Sequence, residues 1–204
     1  MRYPFIALLF LTLAGCASVA RIVYPLNDDP LKAVPGSYEL DPTHANIIFS
    51  VNHLGFSLHH GRFNQIEGSL VIDPAAPQDA QLYTRIDMAS VDTNSEALDN
   101  MLRADGMFDS ENYPYASFES ARIQLTSEKT AEIVGNLTIR GIRKEITLSA
   151  EFIGSGTNPA TGKKTIGFSG KGRFKRSDFN LKQWLPLVGD EVNLILEAEF
   201  TRAN

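Results

Sequence analysis

Cysteine is almost missing from this 204-residue chain: Cys16 is the only one. No disulfide can form within the chain, so its stability must come from packing rather than covalent staples. Basic runs and stripes are missing as well, with 19 Lys and Arg scattered against 24 Asp and Glu. That excludes the electrostatic footprint of a nucleic-acid binder and of a protein held to anionic lipid by charge. Four histidines occur, with no His-x-x-x-His or His-Glu-x-x-His spacing among them, so the usual helical zinc set is not present. Gly55-Phe56-Ser57-Leu58-His59 lacks the final glycine of a nucleophile elbow and its strand-to-helix setting. Gly162-Lys163-Lys164-Thr165 lacks the earlier glycine of a phosphate loop. The apolar run Pro4 to Ala14, broken only at Thr12, falls short of the about 20 residues that span a bilayer.

What is present begins with that run. Arg2 gives it a positive start and small residues follow, the pattern of a secretory signal. Leu13-Ala14-Gly15-Cys16 resembles the lipobox of bacterial lipoproteins. The resemblance implies removal of residues 1–15 and acylation of Cys16 on both its thiol and its new amine. Two or more chains hold a protein stably to a membrane where one is marginal. Ala17, rather than Asp, follows the cysteine, which by the lipoprotein sorting rule implies the outer membrane, facing the periplasm. Residues 16–36, with Pro25, Pro30 and Pro35, read as a tether. Residues 37–204 suffice for one domain.

That domain is strand-like. Val192, Leu194, Leu196, Ala198 and Phe200 fall on one face, and Glu191, Asn193, Glu197 and Glu199 on the other, with Ile195 the lone dissenter. Such alternation marks a half-buried antiparallel strand. Ile133, Gly135, Leu137 and Ile139 repeat it. Ile47, Phe49, Val51 and His53 share a face, and a strand from Phe63 runs through Leu70 and Ile72. Asp73-Pro74, Gly141 and the run Gly154 to Gly162 supply turns. The expectation is an all-β, antiparallel fold, either a sandwich or a barrel of about eight strands. One helix, Ser95 to Asp109, with Ser95 as N-cap and Leu98, Met101 and Leu102 on one side, lies either across a mouth or on the outside of the sheet. Gly68, Gly135, Gly170 and Gly172 inside strands allow tight bends or leave room within. An eight-stranded interior is either filled by side chains or holds one small ligand. His44 and His53, nine positions apart on one strand, point to opposite faces about 30 Å apart and cannot share an ion.

Tyr38-Glu39-Leu40-Asp41-Pro42-Thr43-His44 and Phe49-Ser50-Val51-Asn52-His53-Leu54-Gly55 resemble the opening of the YceI family. The likeness continues through Gly61-Arg62-Phe63, Ser90-Val91-Asp92-Thr93, Phe108-Asp109 to Tyr113-Pro114, Gly135 to Gly141, and Arg176-Ser177-Asp178-Phe179. Two positions depart from it. Ala45 stands where serine is frequent, and Asn180 where glycine is; Asn tolerates a left-handed backbone, so the turn should survive. The resemblance implies an exported, lipocalin-like barrel around an apolar channel for a polyisoprenoid, a quinone tail, a polyprenyl phosphate or a fatty amide or acid. It also implies frequent homodimers. It assigns no cofactor, catalytic residue or metal.

A hydrocarbon tail is held by area, about 0.8 kcal/mol per buried methylene. The expected lining is therefore Phe49, Val51, Phe63, Leu70, Leu137, Phe168 and Phe174, with Leu102 and Phe108 from the helical stretch. Polar groups belong at a mouth: His53, Arg176, Asp178 and Trp184. Two rivals stay open: a metal-assisted hydrolase built on His53, His59 and His60, and a side-chain-filled barrel serving only as an interaction module.

Overall fold

The computed structural model describes residues 26–203. The signal residues 1–15, Cys16 and the first part of the tether lie outside the described residues. Ten antiparallel strands form one sheet. They are β1 (Gly36–His53), β2 (Ser57–Phe63), β3 (Ile66–Ile72), β4 (Gln81–Asp87), β5 (Val91–Asp92), β6 (Tyr115–Leu125), β7 (Thr130–Ile139), β8 (Ile142–Thr157), β9 (Lys164–Lys175) and β10 (Val188–Arg202), with one helix, α1 (Glu96–Arg103). Eight of the strands close a ring in the order β1-β3-β4-β6-β7-β8-β9-β10, sealed by β10 against β1. β2 and β5 extend the wall beside the second half of β1. The barrel and its strand number match the expectation. No helix among the described residues is long and apolar enough to cross a membrane.

β1 reaches both ends of the barrel because it bends at Asp41 to His44. Pro42 has no N–H to offer a ladder, and the pairing with β10 skips from Leu40 to Ala45. Asp41 gathers the loosened backbone, accepting from Thr43 N at 2.9 Å and Thr43 Oγ1 at 2.6 Å. Before the bend β1 pairs with β3; after it, with β2.

Several boundaries differ from the sequence reading. The strand expected from Phe63 through Ile72 is two, because Asn64 N and Gln65 N turn away to Ser90 O and Ser90 Oγ. The helix ends at Arg103 rather than Asp109: Asp105 and Gly106 are poor helix formers, and Met107, Phe108, Asp109 and Ser110 fold back to donate to the last carbonyls. α1 covers a mouth and does not sit on the outer sheet. Leu102, Met107 and Val91 form a small core there with Phe49, Phe63, Phe108 and Trp184 packed on it. Asp99 fastens the helix by accepting from Thr93 N and Thr93 Oγ1. The turn expected at Gly154 to Gly162 is confined to its second half, since β8 runs to Thr157.

At the other end, the tail of the expected tether lies on the barrel. Asn27 pairs with Ser155, each N–H donating to the other's carbonyl at 2.8 Å, and Asp28 bonds Lys129 at 2.9 Å. Asp29 caps a 3-10 turn over Pro30–Lys32, and Ala33 is buried.

Gly135 does leave room, but for a neighbour. A Cβ there would run into the Phe118 ring and lie 2.6 Å from Glu119 O; Gly61 accommodates the Phe49 ring in the same way. Gly135→Ala should therefore destabilise the fold by about 1–3 kcal/mol, as overpacking does, read as a lower urea midpoint. Gly170→Ala, with nothing nearer than 3.4 Å, should cost much less.

Candidate functional site

The barrel is hollow. A cavity of about 1340 Å³ runs along its axis, larger than the about 300–1,000 Å³ common for small-molecule sites. Strand alternation builds its wall: Val192, Leu194, Leu196, Ala198 and Phe200 all line it from β10, while Ile195 faces out and is exposed. The mouth under α1 is edged by His53, Leu98, Met101, Trp184 and Leu187; the far end meets Pro30, Leu31, Pro74 and Lys129.

Twelve of the thirteen residues expected at the site lie on this wall; Asp178 does not. Phe49, Val51 and His53 come from β1, Phe63 from the end of β2, Leu70 from β3 and Leu137 from β7. Phe168 and Phe174 come from β9, Leu102 from α1, and Phe108 from the chain just after it. Arg176 and Trp184 belong to the connection between β9 and β10. Near the mouth, Phe63 bridges Phe49 and Phe108, with ring centroids 5.6 and 5.9 Å away. Deeper, Phe168 meets Phe152 and Phe200 edge-on.

The polar residues divide differently from expectation. His53 is exposed at the mouth. Arg176 is buried, and its guanidinium is committed to the backbone: Nε donates to Gly189 O at 2.8 Å, Nη1 to Leu181 O at 2.6 Å and Gln183 O at 2.9 Å, Nη2 to Val188 O at 2.9 Å. It holds the β9–β10 connection over the mouth. Burial pulls its pKa down, opposed by the nearby Asp190 carboxylate. Asp178 is not on the wall; it is exposed. The carboxylate that organises this corner is Asp190, accepting from Ser177 N at 2.9 Å and Ser177 Oγ at 2.8 Å. His59 was missed as a wall residue. It pairs across the hairpin with Val51, so counting back from the Leu54–Phe56 turn would have put it on Val51's inner face.

The metal set does not assemble. His53 and His59 have ring centroids 6.5 Å apart, but His60, next in an alternating strand, takes the opposite face. Among the described residues no group of three or more His, Cys, Asp or Glu side chains converges.

His44 lies off the wall, in the bend of β1, with Nδ1 2.9 Å from Asp41 Oδ2. Hydrogen bonds from Thr43 and His44 lower the Asp41 pKa to about 2. The bond to Asp41, with Glu199 nearby, raises that of His44.

The sequence profile of the YceI-like domain matches residues 38–200. The chain belongs to the YceI family. A UPF0312 protein of Pseudomonas aeruginosa is 36% identical over 173 residues, 84% of this chain and 90% of that protein. Protein YceI of Escherichia coli O157:H7 is 35% identical over 169 residues, 82% and 87%. The crystal structure of a Campylobacter jejuni YceI protein, 32% identical, superposes with a TM-score of 0.65 over 75% of this chain and 90% of that one. A polyisoprenoid binding domain from Saccharophagus degradans, implicated in plant cell wall breakdown, shares the fold at 17% identity, with a TM-score of 0.63 over 81% and 98%.

Several of the YceI-like motif residues are architectural. Arg62 of Gly-Arg-Phe bonds Asp92 of Ser-Val-Asp-Thr at 3.0 Å, Thr93 fastens α1, and Asn180 takes the left-handed turn at φ 61°. The motif carboxylate Asp41 and the motif histidine His44 form the bend. Asp41, depressed below its ordinary 3.8, stabilises the fold above that pH and loses its contribution as pH falls toward about 2. His44, raised above its ordinary 6.5, contributes fully below that pH and loses its contribution as pH rises through its folded value. His44→Gln should thus lower Tm more at about pH 5.5 than at about pH 8.5, as thermal melts of both proteins at the two pH values would show.

Proposed function

We propose that the protein holds a long apolar lipid inside its barrel and carries, stores or senses it at the cell envelope, without chemical change to it. The observation that supports this is the unfilled axis: a barrel acting only as an interaction module has no need of a cavity of about 1340 Å³ walled by Phe, Leu, Ile and Ala. The Saccharophagus domain of the same fold is described as binding polyisoprenoid, which agrees with that wall.

Energetics favour a long tail. Each buried methylene gives roughly 0.8 kcal/mol, while association costs on the order of 4–15 kcal/mol before any surplus appears. A few carbons are not enough, and a chain of several isoprene units is.

Native mass spectrometry after gentle purification should show the protein with an added apolar mass. Ala198→Phe, which thrusts a ring into the lumen beside Phe168, should lose that mass while keeping its circular dichroism; a parent protein with no added mass would end the proposal. Cys16 is the proposed anchor, and the outer membrane the proposed site. The mature N-terminal peptide should begin at Cys16 and carry acyl chains by mass spectrometry; an unmodified peptide beginning elsewhere would refute the anchor alone.

A further inference from the structure

Near the helix-side mouth one polar atom has nothing to bond. His59 Nε2 is buried without a hydrogen-bond partner in the protein, and its residue lines the cavity beside His53. Buried polar atoms nearly always find a partner, because desolvating one without a replacement bond is costly.

The surrounding charges narrow what that partner is. Among the described residues, Lys129 and Arg176 are the Lys and Arg side chains on the wall. Lys129 is at the far end, paired with Asp28. Arg176 already donates to four carbonyls. Neither is free to meet an anion at His59. A phosphate or diphosphate drawn out of water needs cations and several donors, and among the described residues the cavity wall at this mouth carries no free Lys or Arg. An uncharged group needs only a bond or two. A neutral imidazole nitrogen gives one, as donor to a carbonyl or as acceptor from a hydroxyl or amide, according to tautomer.

We propose that the bound lipid ends in an uncharged hydrogen-bonding head, a hydroxyl, amide or carbonyl, and that His59 Nε2 bonds it. His59 then selects the head class, while the apolar wall binds the tail. The inference rests on the lipid-holding reading above.

Three lipids with one C20 chain separate the possibilities: phytol, phytyl diphosphate and phytane. Trp184, the only tryptophan, lies on the wall, so its fluorescence reports each titration of the whole protein. Phytol should bind at least about tenfold tighter than phytyl diphosphate, the order of one hydrogen bond retained. His59→Leu should bring phytol to the level of phytane and leave phytane unchanged, and His59→Gln, which keeps a polar group, should restore most of the difference. Diphosphate binding as tightly as the alcohol would overturn the inference, as would His59→Leu weakening phytane as much as phytol. Failure of all three to bind the folded parent protein would instead bring down the lipid-holding reading, and this inference with it.

Discussion

Everything in this molecule depends on the pairing of β10 with β1. Ten antiparallel strands in an open sheet would bury one face only by finding another layer. Closing eight of them removes the edges and creates an inner surface with no second sheet or helix to cover it. The register Ile47 to Leu196 and Phe49 to Leu194 sends alternate side chains inward from both partners. Slipping it by one residue would put Glu197 and Asn193 inside and expose Leu194 and Leu196. The same closure sets the width of the lumen, and the side chains supplied do not fill it.

A hollow barrel has two ends to manage, and the chain treats them differently. At one end α1 lies over the opening, tied by Asp99 to Thr93 and by Arg103 to the carbonyls of Ala89 and Val91. The β9–β10 connection covers the rest, organised by a single guanidinium. A connection this long has many backbone carbonyls that a strand would have paired, and Arg176 takes two of them, Leu181 O and Gln183 O, together with Val188 O and Gly189 O at the start of β10. At the other end the segment before β1 lies against β8 through Asn27 and against the β6–β7 turn through Asp28. At the helix-covered end His53, Leu54 and Leu187 are exposed on the rim, and at the other end Leu31 is.

Strand alternation made the wall legible in the sequence. β10 and β7 read correctly residue by residue, including Ile195 as the outward exception, because period-two patterns survive without knowledge of neighbours. The inward run Phe49, Val51, His53 followed the same logic. What escaped were features that depend on contacts distant in sequence. The break at Asn64–Gln65 needs Ser90, twenty-five residues on, to receive the backbone. Asn27 finds Ser155 only once β8 is in place. Asp178 was placed at the rim with Arg176 because the two are near in sequence, yet the carboxylate near Arg176 in space is Asp190. Whether the axis was filled or empty was never a question periodicity could settle, since a core phenylalanine and a wall phenylalanine alternate alike.

The division between wall and mouth also sets what such a cavity can discriminate. Apolar contact is non-directional and scales with area, so the wall ranks ligands by how much hydrocarbon they bury. Two tails of equal length are nearly equivalent to it. Rejection comes from polar groups left unpaired, which cost far more than a methylene gained or lost. A cavity with an almost wholly apolar lining therefore concentrates its selectivity in very few atoms. On the proposal above those atoms include His59 Nε2 on the β1–β2 hairpin, where His59 pairs across from Val51 and His53 stands one step further out. That hairpin is also part of the rim, so a head group held by it would be the last part of a ligand to enter and the first to leave.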